Sequence, residues 1–101
     1  MHIITKKHLL QAANKYPNAK NKIAFWHTIA KAAVWTNLVE TRKTFPNADQ
    51  VTVKSGRTVT IFNISNDYRL ITAIHYDRKK VFILRFLTHP EYDKEKWKEH
   101  L

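Results

Sequence analysis

The 101-residue sequence predicts an α+β fold, with N-terminal helices packed on a twisted, mainly antiparallel sheet and a short C-terminal helix. Three observations predict it. Apolar residues in the first third recur at helical spacing. Over residues 51–87 the pattern changes to short runs rich in β-branched and aromatic side chains. The connections between those runs are short enough to imply antiparallel hairpins.

His2-Ile3-Ile4 reads as a short strand. Thr5 is placed to cap a helix running to about Tyr16, which Pro17 ends. The apolar face of that helix is Leu9, Leu10, Ala13 and Tyr16. Asn18 is placed to cap a second helix to about Ala33, with Ile23, Trp26, Ile29, Ala30 and Ala33 as its stripe. Lys20, Lys22, His27 and Lys31 fall largely off that stripe. Thr36 or Asn37 starts a short third helix with Leu38 inward, before Phe45-Pro46-Asn47-Ala48-Asp49 breaks the pattern.

Four strands follow at residues 51–54, 57–64, 69–76 and 80–87. Ser55-Gly56, Asn66-Asp67 and residues 77–79 are turn-formers between them. Gly56 is the only glycine, which predicts a positive φ in that turn. Residues 92–101 read as a helix anchored by Trp97. Two helices then cover one sheet face. The other face stays partly open, and a cleft there is the expected site.

With 44% hydrophobic residues, the chain carries enough apolar material for one modest core, so residues 1–101 read as a single small domain rather than a disordered chain. The absence of cysteine excludes disulfides and thiolate metal sites. No apolar run approaches membrane-spanning length, and no signal-peptide core is visible. The expectation is a soluble, cytoplasmic protein with no membrane partner. The formal charge is +10 and uneven: residues 1–44 hold eight basic residues and one acid. Such a one-sided field attracts a polyanion, nucleic acid first; an acidic protein could use the same field.

The densest chemistry lies in Arg85-Phe86-Leu87-Thr88-His89-Pro90-Glu91-Tyr92-Asp93-Lys94, where the last strand gives way to a helix. Alternation places Val81, Ile83, Arg85, Leu87 and His89 on one face, with Phe82, Leu84 and Phe86 on the other as the core face toward the helices. Arg85 and His89 then point to the open face. With Leu70 and Ile74 as core, Arg69 joins them. Two guanidiniums beside an imidazole and a carboxylate suit phosphoryl transfer.

Each residue also has a plainer reading. Thr88 and Glu91 fit a helix capping box, which needs no catalysis. His89 fits a partly buried imidazole satisfied by backbone. Arg69 and Arg85 fit surface cations or partners of Asp93 and Glu91. Tyr68 and Tyr92 fit packing residues. The six histidines lack a metal-binding spacing, so no metal is assigned. One glycine cannot build a phosphate loop, and no Ser-His-Asp triad or cofactor motif is evident.

The run Phe62-Asn63-Ile64-Ser65-Asn66-Asp67-Tyr68-Arg69-Leu70, together with Arg85 to Lys94, resembles the HigB family of toxin ribonucleases, relatives of the RelE-type mRNA interferases. His2-Ile3-Ile4 before a basic helix, and Phe45-Pro46-Asn47-Ala48-Asp49 before the sheet, also match. The resemblance spans nearly the whole chain. One departure is the turn at Ile64-Ser65-Asn66-Asp67, which often carries glycines in that family and here has none. Asn and Asp tolerate left-handed conformation, so the hairpin is expected to survive.

The resemblance implies a RelE-like fold and the toxin half of a toxin–antitoxin pair, cutting mRNA, usually on the translating ribosome. It implies a helix-turn-helix antitoxin, through which alone operator DNA would be bound. The implied reaction is metal-independent transesterification by the ribose 2′-hydroxyl. Arg69 and Arg85 would hold the phosphate. Glu91 or His89 would be the base and the other, or Tyr92, the acid, with stacking on a base as the alternative role of Tyr92. Lys6, Lys7, Lys20, Lys22 and Lys31 would hold rRNA and mRNA backbone. Two other readings remain open on the residues alone: a non-catalytic RNA- or DNA-binding module, and a domain that docks an acidic protein.

Overall fold

The computed structural model describes residues 1–101. Four helices pack with a five-stranded, mostly antiparallel open sheet, so the expected α+β architecture holds. The strands are β1 (His2–Ile4), β2 (Asp49–Thr52), β3 (Thr58–Asn63), β4 (Tyr68–His75) and β5 (Lys80–Thr88). The helices are α1 (Lys7–Lys15), α2 (Lys20–Ala32), α3 (Leu38–Thr44) and α4 (His89–Asp93). The sheet order is β1-β5-β4-β3-β2, with β1 parallel to β5 and every other pair antiparallel. No helix is long and apolar enough to cross a membrane.

Several local expectations hold. Gly56 turns the β2–β3 hairpin at φ +87°. Asn37 caps α3, its side chain accepting from Glu40 N at 2.9 Å. The helix-side core gathers Leu9, Ile23, Trp26, Ala30, Trp35, Phe62, Leu70, Val81 and Ile83. Within it Trp26 and Phe62 meet edge to face with ring centroids 5.3 Å apart.

Two caps differ from expectation. Thr5 does not cap α1; it takes φ +68°, which turns the chain out of β1 within two residues, and Lys6 precedes the helix with no side-chain bond. Asn18 does not cap α2; it lies in a 3-10 turn, Pro17–Ala19, that presses Ala19 into the core. The buried face of α1 is Leu9 and Ala12, while Leu10 is exposed.

The phase of β5 also differs. Val81 and Ile83, not Phe82 and Leu84, face the helices. A β-bulge is the cause: Ile71 pairs with Arg85 but Thr72 pairs with Ile83, so Leu84 is an extra residue. Beyond it the expected alternation returns, with Phe86 on the helix side. The second sheet face is not left open. Val53, Val59, Ile61, Ile71 and Trp97 form a smaller core there, with Leu84, Leu87, Tyr92 and Leu101 against it.

The expected C-terminal helix is two short pieces. Glu95, at φ +59°, separates α4 from a 3-10 turn, Lys96–His100. That break swings Trp97 under the sheet, where Tyr92 O accepts from its Nε1 at 3.0 Å. Lys54 N donates to Lys98 O, and Ser55 Oγ to Leu101 O, tying the tail to the β2–β3 hairpin. Truncating a buried tryptophan typically costs about 3–5 kcal/mol, so Trp97 is a main anchor of this layer.

Candidate active site

The site is built where β5 enters α4. Thr88 ends the strand beside Tyr68, and His89 N donates to Asp67 O at 2.7 Å. The start of α4 is thereby tied to the β3–β4 turn. That turn closes without glycine because Ser65 takes φ +110°, and Arg69 grips it from inside. Arg69 Nη1 donates to the carbonyls of Ser65, Asn66 and Tyr68 at 3.1, 3.3 and 2.9 Å. Its Nε and Nη2 make no hydrogen bond within the protein.

Thr88 and Glu91 form the capping box. Glu91 Oε1 accepts from Thr88 N at 3.0 Å and from Thr88 Oγ1 at 2.9 Å. Glu91 N donates back to Thr88 Oγ1 at 3.4 Å. The Thr88 N–H holds the Glu91 carboxyl below its ordinary pKa, helped by the Thr88 hydroxyl and the Lys15 and Lys94 charges and opposed by partial burial. The side chain is therefore a carboxylate at neutral pH. Oε2 takes no part in the cap.

β1 covers β5 only from Lys80 to Phe82. Past that point α1 lies along the bare edge, with His8 Nδ1 at 3.2 Å from Ile83 O. Between them opens a pocket of about 300 Å³, which Arg85 and Glu91 share with His8, Gln11, Lys15 and Tyr16 of the α1 side. Arg85 is exposed, bonds only the Leu84 carbonyl at 2.7 Å, and pairs with no carboxylate. The pocket thus carries two cations, one carboxylate, one imidazole and one phenol. None of these α1-side residues is among the site residues expected from the sequence, although His8, Gln11 and Lys15 sit at i, i+3 and i+7, the spacing of one helix face.

Arg69, His89 and Tyr92 do not line that pocket. By register Arg69 and Arg85 lie on the same sheet face, diagonal across β4 and β5. Arg69 lies over the Tyr92 ring at 5.9 Å from its centroid, and Tyr92 stacks on Trp97 at 5.4 Å. Burial, with Asp49 and Glu95, raises the Tyr92 pKa against the opposing charges of Lys98 and Arg69, so the phenol keeps its proton. His89 Nδ1 lies 2.8 Å from Asp93 Oδ2, one helical turn on. The Asp93 carboxylate accepts from Nδ1 and so fixes the orientation of the ring.

Lys6, Lys7, Lys20, Lys22 and Lys31 are all exposed, and none is in an ion pair. Lys6, His27 and Lys31 converge beside Met1 and His2. Burial, then the charges of Lys6 and Lys31, lower the His27 pKa.

A cationic pocket with one carboxylate in its wall, on a sheet flanked by basic helices, defines a small α+β protein suited to an anionic ester. The comparisons make that class specific. Residues 19–95 match the model of the HigB_toxin family, the RelE-like toxic component of a toxin–antitoxin system. The chain is 34% identical over 95 residues to the mRNA interferase toxin HigB of Escherichia coli K12, covering 92% of this chain and 88% of that protein. The mRNA interferase HigB of Shigella flexneri matches equally. That of Escherichia coli O6:H1 is 31% identical over 94 residues, covering 93% of this chain and 90% of that protein. The chain belongs to the HigB toxin family.

Proposed function

We propose that this toxin is an endoribonuclease that cleaves mRNA on the translating ribosome, in the cytoplasm, by transesterification without a metal. The observation that carries the reading is the pocket holding Arg85 and Glu91 between β5 and α1. The names of its relatives, mRNA interferases over most of their length, agree with it. A helix-turn-helix antitoxin restrains it, and operator DNA is reached only through that complex.

In the proposed reaction a base removes the proton of a ribose 2′-hydroxyl. The 2′-oxygen attacks the adjacent phosphorus as the P–O5′ bond breaks. An acid protonates the leaving 5′-oxygen, giving a 2′,3′-cyclic phosphate and a 5′-hydroxyl. Arg85 and Arg69 bind and stabilise the phosphate, Arg85 through the fork of Nε and Nη2 that its bond to Leu84 leaves free. Glu91 or His89 is the base: the Glu91 side chain lines the pocket with Arg85 and keeps Oε2 out of the cap, and the His89 ring is oriented by Asp93. The other, or Tyr92, is the acid; Tyr92 has a proton to give. Paired acid–base catalysis is worth on the order of 10²–10⁴-fold. Lys6, Lys7, Lys20, Lys22 and Lys31 hold mRNA and rRNA backbone.

The test is cleavage of end-labelled mRNA in a translating extract and of naked RNA with excess EDTA, comparing wild type, Arg85→Ala and His89→Ala/Glu91→Ala. Cuts within the reading frame with 5′-hydroxyl ends, lost in the variants, are expected. No cleavage by any form, with RNA still bound, would leave the capping box as the whole role of Glu91 and make the protein a binding module.

A further inference from the structure

A second opening, of about 250 Å³, runs between α1 and α2. Leu9 and Ile23 are buried at its base, and Leu10 stands 57% exposed within it. Ala24 leaves room on the α2 side, and Lys6 and Lys20 line the same opening. Residues 1–39 contain no Asp or Glu, and neither lysine is in an ion pair. The groove therefore combines an apolar floor with an uncompensated positive rim.

Its length is that of a helix contact. From Lys6 to Ala13 the chain rises about 10.5 Å at helical pitch, the distance from i to i+7 on a partner helix. RNA is the poorer fit: no Phe, Tyr, Trp or arginine lines the groove, and the half-buried His27 is the one ring on which a base could stack. A phosphate laid on leucine would be desolvated without a partner.

We propose that this groove docks an acidic amphipathic helix of the antitoxin. Apolar side chains at i, i+4 and i+7 seat between α1 and α2, and flanking carboxylates lie over Lys6 and Lys20. This rests on the membership in a toxin–antitoxin family. The docked helix covers two of the cations assigned to RNA backbone, so antitoxin and RNA compete for the toxin without the partner entering the Arg85 pocket.

The test is titration of the full chain with the purified antitoxin encoded beside it, for wild type, Leu10→Lys and Ala24→Arg. Both positions are exposed, so both variants fold, and RNA cleavage confirms it. Antitoxin affinity should fall at least about 30-fold in each, as for a central apolar anchor, with cleavage undiminished. Affinity within about threefold of wild type in both variants would overturn the groove as the docking site. Weakened RNA association with intact antitoxin binding would also overturn it and assign the groove to RNA. Failure of wild type to bind the antitoxin would sink the toxin–antitoxin reading itself, and is visible before any variant is made.

Discussion

The Glu91 carboxylate holds Thr88 through one of its two oxygens only. Oε1 accepts both the backbone N–H and the hydroxyl of Thr88, leaving Oε2 uncommitted on a residue that lines the same pocket as Arg85. Cap and catalysis are therefore compatible in one side chain.

That relationship separates the two roles by substitution. Glu91→Gln keeps an acceptor oxygen for the cap and removes the charge. Its stability at pH 7 should stay within about 1 kcal/mol of wild type, the usual size of a helix-cap contribution. RNA cleavage should drop by about 10²-fold or more if the carboxylate is the base. Cleavage within threefold of wild type would confine Glu91 to capping. The pH dependence follows in sign. Because the folded pKa of Glu91 is depressed, its stabilisation is present above its ordinary 4.5 and lost as pH falls through the lower folded value. Chemical denaturation from pH 7 to 3 should show wild type losing more stability than Glu91→Gln, with the difference appearing only below about pH 4.5.

Arg85→Lys tests the forked contact. Arg85 is exposed and bonds a single carbonyl, so stability should change by no more than about 0.5 kcal/mol. Cleavage should fall by about 10²–10³-fold, the usual cost of removing a group that stabilises transition-state charge. Near wild-type rates in single-turnover assays would remove Arg85 from the mechanism.

Arg69 should behave differently. It braces three carbonyls of the β3–β4 turn and packs on Tyr92. Arg69→Ala is expected to cost about 1–3 kcal/mol in urea unfolding as well as activity. Unchanged stability with lost activity would make its role purely one of binding phosphate.

Replacing Lys20, Lys22 and Lys31 by Gln should weaken association with ribosomes and RNA. The slope of log K against log salt should fall by about 0.7–0.9 for each lysine that contacts a phosphate. A slope unchanged by all three would exclude these lysines from the RNA footprint.

Local signals account for much of what was legible. The hairpin turns, the positive φ at Gly56, the Asn37 cap and the Thr88–Glu91 box all depend on residues within a few positions of each other. The sequence by itself therefore determined the α+β class, the strands of the second half and the identity of the charged C-terminal segment. Tertiary structure decided the rest, because those features depend on partners distant in sequence. The bulge at Leu84 arises from pairing with β4, and it reversed the inward set of β5 to Val81 and Ile83. Trp97 closed the second sheet face only because Glu95 turned the chain back onto the β2–β3 hairpin. His8, Gln11 and Lys15 became walls of the Arg85 pocket because β1 stops at Ile4 and leaves the β5 edge to α1. Periodicity specifies which side chains share a face, whereas only packing specifies what that face meets.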